Sequence, residues 1–290
     1  MKAKAICLLA VLTIITTFFL SCSKDSPTGI LNNVNFKYPF TIGSTWSYTE
    51  VISLGNVRPD SIKYKIDTTT RISTSIITIT HDTTINGAQT RCFAETFTQG
   101  TTNWYSRAYY ANSDSGLFRY GFTYSGGGLY LPSGPSSNIK FLYNGILYND
   151  PMEIIISLGK FSNPTNMSAD TVPIILDNPP ANCIKYPIIL GTEWFFKRYD
   201  NNLYVNKKYI GYENILVNNN MISCVKTELK VYGSVSSSTD YLYDYHSEYG
   251  QMKRDYYFKD VIFTNELGIS IGLMDIRHVV DVTSYNIVDP

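Results

Sequence analysis

An eleven-residue phrase occurs twice in this chain, and it constrains the fold more than any other feature. Tyr38-Pro-Phe-Thr-Ile-Gly-Ser-Thr-Trp-Ser-Tyr48 returns as Tyr186-Pro-Ile-Ile-Leu-Gly-Thr-Glu-Trp-Phe-Phe196, with Tyr, Pro, Gly and Trp in register and two of the chain's three tryptophans inside it. The local logic of each copy is the same. Pro39 or Pro187 sets an extended entry, Gly43 or Gly191 permits a bend that a β-carbon would hinder, and Trp46 or Trp194 plugs a core as a strand begins. Downstream, Ile85-Asn-Gly-Ala-Gln-Thr-Arg-Cys92 parallels Val217-Asn-Asn-Asn-Met-Ile-Ser-Cys224, and Gly116-Leu-Phe-Arg119 parallels Gly250-Gln-Met-Lys253. Cysteine to glycine is 24 residues in the first copy and 26 in the second, whereas tryptophan to cysteine is 46 and 30. The excess predicts an additional hairpin in the first copy, near residues 61–81.

The local patterning is that of strands. Residues 45–53, 61–67 and 76–80 alternate polar and apolar side chains, the mark of a sheet with one wet and one dry face. Asn86-Gly87, Asp114-Ser-Gly116 and residues 200–202 supply turn chemistry between such runs. Charged residues make up only 17%, against 24 tyrosines, which favours strands and polar turns over helices. The expected fold is all-β: two related antiparallel β-sheet units, each a curved meander, half-barrel or sandwich-like. The first spans 37–182 and includes a loop-rich insertion (residues 126–137 and 177–182, with a short helix over 152–158); the second spans 183–290. Whether the two share one sheet is open.

The first 22 residues carry an address. Lys2 and Lys4 precede an apolar run over 5–20, and Ser21-Cys22 follows, the layout of a removable signal peptide over 1–21. Cys22 would then be lipidated, with 22–36 a flexible tether; the alternatives are secretion after cleavage nearby, or a short anchor that stays. Each buried methylene adds roughly 0.8 kcal/mol of membrane affinity, so two or three acyl chains hold a protein essentially permanently. Losing residues 1–21 changes the balance of basic to acidic residues from 24 against 24 to 22 against 24. A net charge near −2 gives no electrostatic reason to expect nucleic acid. Of the five cysteines, Cys92, Cys183 and Cys224 remain as structural candidates. One disulfide among them, or three small buried hydrophobes, fits the sequence.

A lipoprotein signal together with Pro39-x-x-x-Gly43-x-x-Trp46-x-Tyr48 resembles uncharacterised envelope lipoproteins of diderm bacteria, whose β-rich units open with such a phrase. Gly268-Ile-Ser-Ile-Gly272-Leu-Met-Asp275 is similar to their closing strand, with Asp275 where Lys is usual. Some relatives are similar to half-barrel carriers whose curved sheet holds acyl chains. The resemblance therefore implies either a scaffold or a carrier of a hydrophobic ligand. It brings no catalytic residue with it.

The search for chemistry ends quickly. His81, His246 and His278 form no His-Glu-x-x-His, and no Gly-x-Ser-x-Gly, Gly-x-x-x-x-Gly-Lys or Cys-x-x-Cys occurs. One constellation stands out: Asp240-Tyr-Leu-Tyr-Asp-Tyr-His246. As a strand it puts Tyr241, Tyr243 and Tyr245 on one face and Asp244 with His246 on the other, expected to be the wetter. Asp244 and His246 are then candidates for a metal site or a carboxylate-oriented base, and an adjacent carboxylate should raise the imidazole pKa. A solvated face opposite an aromatic one explains the same pattern with no site at all.

No cofactor, metal or enzymatic activity is therefore expected. The sequence reads as a non-catalytic lipoprotein anchored in the outer membrane, facing periplasm or cell surface, and acting as a binding or scaffold module. Its expected partners are the membrane through Cys22 and an envelope protein, a glycan or a hydrophobic ligand. A carrier of a lipidic ligand on a curved sheet is the alternative, and a hydrolase the third reading.

Overall fold

A computed structural model describes residues 36–65, 68–124, 139–149, 151, 153–155, 173–198, 203–233, 240–265 and 267–289. The signal segment, Cys22 and the tether to residue 35 lie outside the described residues, as do the 126–137 loop, the 200–202 turn and the helix expected over 152–158 beyond residues 153–155.

The strands are β1 (Thr45–Arg58), β2 (Arg71–Ile85), β3 (Ala88–Gln99), β4 (Thr102–Ser113), β5 (Gly116–Tyr124), β6 (Lys140–Tyr143), β7 (Ile146–Tyr148), β8 (Ile175–Lys185), β9 (Glu193–Arg198), β10 (Tyr204–Val217), β11 (Asn220–Tyr232), β12 (Tyr241–Ser247), β13 (Gly250–Thr264) and β14 (Ser270–Asn286). A 3-10 helix, Asp60–Lys65, follows β1. All fourteen strands among the described residues belong to one antiparallel sheet, so the fold is all-β and the two halves share a single sheet. Its path runs β8-β5-β4-β3-β2-β1-β14-β13-β12-β11-β10-β9. The β6–β7 hairpin attaches to β13 through Phe141–Phe263 and Leu142–Ile262. The two ends of the path, β8 and β9, approach one another where the Trp194 indole N–H donates to the Asn182 carbonyl at 2.8 Å, which brings the sheet close to a closed barrel. β8 runs across the 182/183 boundary drawn from the sequence and takes in residues 177–182, expected as a loop but here part of a strand paired with β5.

Turn chemistry sets the meander. Asn86-Gly87, Asn144-Gly145 and Asn218-Asn219 all have positive φ at both positions, the backbone of a two-residue hairpin whose twist matches the strands it joins. Among the described residues no additional hairpin lies near 61–81, and residues 60–65, overlapping the 61–67 stretch whose alternation reads as a strand, form the 3-10 helix. The extra length of the first copy goes instead into β1, at 14 residues against 6 in β9, and into the 3-10 helix. The reason is pairing on both flanks. β1 meets β2 from Thr45–Thr78 to Ile52–Arg71 and β14 from Thr45–Asn286 to Arg58–Leu273, whereas β9 has a ladder only with β10.

The two copies of the repeated phrase form the same turn. Gly43 N–H donates to Ile79 O (2.8 Å), Ser44 N–H to Thr41 O (3.1 Å) and Ile79 N–H to Ser44 O (3.0 Å). In the second copy Gly191 N–H donates to Tyr209 O (2.8 Å), Thr192 N–H to Ile189 O (3.1 Å) and Tyr209 N–H to Thr192 O (3.1 Å). The glycines sit at φ +92° and +84°, where a β-carbon is strained. Trp46 and Trp194 are both buried; the Trp46 indole N–H reaches the Tyr249 carbonyl at 2.6 Å. The prolines differ, Pro39 being buried and Pro187 exposed.

Among the described residues two large apolar clusters fill the interior, beside a small one of Ile85, Cys92 and Tyr109. One gathers Trp46, Tyr48, Ile79, Phe93, Met252 and Val280, and the other Phe141, Ile154, Phe196, Tyr256, Phe258 and Met274. Ile154 and Ile155, from the helical residues 153–155, are buried in the second cluster.

Candidate functional site

A cavity of about 180 Å³ lies inside the barrel and borders both clusters, touching Tyr48 and Phe93 of one and Phe196 and Tyr256 of the other. Its walls are unusually polar for a core. Arg119, Lys207, Asp244, His246 and Arg254 line it, with Glu95 and Ser106.

The residues arrive by alternation along the strands. In β10, Val205, Lys207 and Tyr209 are all buried at spacing two, so Lys207 occupies an inward position between two core side chains. Its ammonium donates to Asp244 Oδ2 (3.2 Å) and to the Cys183 carbonyl (3.2 Å), and lies 4.6 Å from the centre of the Phe196 ring. Asp244, on β12, is 1% exposed and accepts two further bonds, from Arg254 Nε (2.8 Å) and Tyr256 Oη (3.1 Å). Burial works against its charge, but the Arg254 and Lys207 cations hold the carboxyl well below the usual carboxylate range. On β5, Arg119 makes a two-point pair with Asp177 of β8 (Nε–Oδ2 2.6 Å, Nη2–Oδ1 3.2 Å) and lies over the Phe122 ring. Lys197 is 3.6 Å from the same carboxylate; burial, reinforced by Arg119, lowers its pKa to about 8.

This arrangement corrects the expectation for β12. Tyr241 and Tyr243 do stack, ring centres 5.6 Å apart, and Tyr241 also stacks on Tyr257 at 5.0 Å. The Asp244–His246 face, however, is the interior of the barrel and not its wetter side: His246 is 6% exposed. Burial pushes its pKa down to about 3, with Asp244 opposing the shift and the Lys207 and Arg254 charges adding to it, so the raised pKa expected from an adjacent carboxylate is wrong. Asp244 is already saturated by cations, and desolvation prevails. Tyr245 is buried as well, on the Tyr243 face, where Lys226 and Lys253 from the two neighbouring strands lie over its ring.

Among the described residues no three His, Cys, Asp or Glu side chains converge in a way that could hold a metal ion. Cys92, Cys183 and Cys224 are free thiols; burial raises all three, Cys224 to about 12. Asp275 is 4% exposed and accepts from Asn56 Nδ2 (2.5 Å), Tyr257 Oη (2.5 Å) and the Asp260 amide (3.1 Å), a bracing role for the strand it sits on. The sequence reading missed Arg119, Asp177, Lys197 and Lys207. Only Lys207 carried a legible signal, its place in the Val205-x-Lys207-x-Tyr209 alternation.

No family model and no curated protein matches this chain. Among solved structures it is similar to a protein described as a candidate lipoprotein from Parabacteroides distasonis ATCC 8503 (14% identity, 87% of this chain and 99% of that one, TM-score 0.31). It is also similar to a candidate exported protein with a YmcC-like fold from Bacteroides fragilis NCTC 9343 (10% identity, 87% and 99%, TM-score 0.32). At those TM-scores neither likeness carries an argument about this chain.

Proposed function

We propose that the chain is a non-catalytic lipoprotein, anchored in the outer membrane by acyl chains on Cys22, whose barrel is a binding or scaffold module of the envelope, built from a duplicated β unit. The observation that carries this reading is the filling of the concave side. A lipid carrier needs an open apolar hollow, whereas here Arg119–Asp177 and Lys207–Asp244–Arg254 occupy the interior. An acyl chain inserted among them would strip water and counter-charges from groups that cost several kcal/mol each to bury unpaired. The duplication is supported by the matching hydrogen bonds around Gly43 and Gly191. Palmitate labelling and fractionation test the anchor: Cys22→Ser should lose the label and leave the membrane fraction, and unchanged labelling sinks it. Organic extraction of the purified protein tests the module. A stoichiometric acyl chain released from the folded barrel would replace this reading by the carrier.

A further inference from the structure

We propose that the cavity inside the barrel binds a small carboxylate, an inference that rests on reading the barrel as a binding module. Three observations converge on it. The first is charge: the walls carry Arg119, Lys207 and Arg254 against the carboxylates Glu95 and Asp244, an excess of one formal positive charge. The second is an unused fork. Arg254 spends Nε on Asp244 and lays its guanidinium over the Tyr256 ring, 4.8 Å from the centre, while its two terminal nitrogens make no hydrogen bond among the described residues. Its side chain keeps 27% of its accessible surface and lines the cavity. Two parallel N–H groups in a plane match the two oxygens of a carboxylate. The third is His246, buried on the same wall, whose Nδ1 has no partner and can bond a ligand oxygen or hydroxyl.

Size and charge narrow the class. At about 180 Å³ the cavity is smaller than the roughly 300–1,000 Å³ that drug-sized ligands occupy, so it suits a short organic acid. A single excess charge matches a monocarboxylate better than a phosphate dianion. Asp244 repels an incoming anion, but three donors already hold that carboxylate. Tyr38, Tyr110 and Phe93 also line the cavity, so that its wall has both polar and apolar surface.

The test uses the detergent-solubilised full-length protein and calorimetric titration with sodium acetate, propionate and decanoate against chloride at equal ionic strength. Acetate and propionate should bind, with no gain for decanoate, and Arg254→Lys should weaken propionate about tenfold or more, since it keeps the charge and loses the fork. A second readout needs no variant: Cys183 lines the cavity while Cys92 and Cys224 are wholly buried, so propionate should slow alkylation of the native protein by iodoacetamide. This decides the matter if Arg254→Lys fails to fold. No heat with any acid and an unprotected Cys183 would mean a cavity holding water alone and overturn the proposal, as would equal binding by Arg254→Lys. Failure of the underlying module reading looks different: affinity would climb steeply from propionate to decanoate, showing room for an acyl chain.

Discussion

The two joints of the barrel are built from equivalent pieces and finished differently. Where the second half meets the first, β14 lies along β1 in a ladder from Asn286–Thr45 to Leu273–Arg58, broken only by two register shifts. Where the first half meets the second, β8 and β9 approach without a ladder, and a side-chain bond, Trp194 Nε1 to the Asn182 carbonyl, does the joining. Both joints begin with the same glycine turn and the same buried indole, so the turn is not what closes a joint. Strand length is. Fourteen residues give β1 a backbone long enough to pair on both flanks, whereas six residues of β9 are used against β10. An edge left without a ladder has to satisfy its polar groups otherwise, and the buried Asn182 Oδ1, which has no hydrogen-bond partner, lies at that joint.

The largest expected effect that can break this comparison is truncation of the two tryptophans. Trp46→Ala and Trp194→Ala should each cost about 3–5 kcal/mol in urea unfolding. Trp46, 1% exposed and stacked on Phe93 with ring centres 6.2 Å apart, should be the costlier. If Trp194→Ala proves harmless, the indole is not what holds β8 to β9, and the account of the open joint is wrong.

A smaller effect comes from acid. His246 faces Asp244 on its own strand, Lys207 of β10, Arg254 of β13 and the ring of Tyr38, and its folded pKa of about 3 lies below the ordinary imidazole value of 6.5. A folded pKa below the unfolded one means that the unfolded chain takes up the proton first, so stability is full above 6.5 and declines as pH falls toward 3. By about pH 4 the loss should reach about 3 kcal/mol. His246→Gln should flatten that slope; an unchanged slope in the variant would assign the acid sensitivity to other groups. Asp244, held low, adds its own loss only below the ordinary carboxylate range.

The smallest effect sharpens the likeness of the two turns. Gly43→Ala and Gly191→Ala should each cost about 1–2 kcal/mol from the left-handed backbone alone. The first should be slightly worse, since a β-carbon there meets Val288 Cγ2 at 3.4 Å while Gly191 has open space around it. Equal thermal midpoints for either variant and the parent protein would show that the glycine is not required by its φ angle.

Much of this architecture was legible before any coordinates. The Asn-Gly and Asn-Asn turns, the repeated phrase and the alternation over 45–53 and 76–80 are local signals: each depends on backbone geometry within a few residues, and each led to the right element type, whereas the alternation over 61–67 fell on a 3-10 helix. The polar cavity was not legible, and β12 shows why. Alternation says that Tyr241 and Tyr243 share one face and Leu242 and Asp244 the other, but it carries no sign saying which face is inside. Hydrophobicity, the usual guide, pointed the tyrosines inward. The sign was decided by Lys207, 37 positions before Asp244, and by Arg254 across the β12–β13 hairpin, whose cations make the buried carboxylate tolerable. Sequence alone thus determined that the chain is a meander of strands with two like turns, because short-range sterics and turn preferences set those. Closure of the ring at one joint, its incomplete closure at the other, and the inward turn of the charged faces were decided only when distant strands came together, since a charge can be buried only where its partner already is.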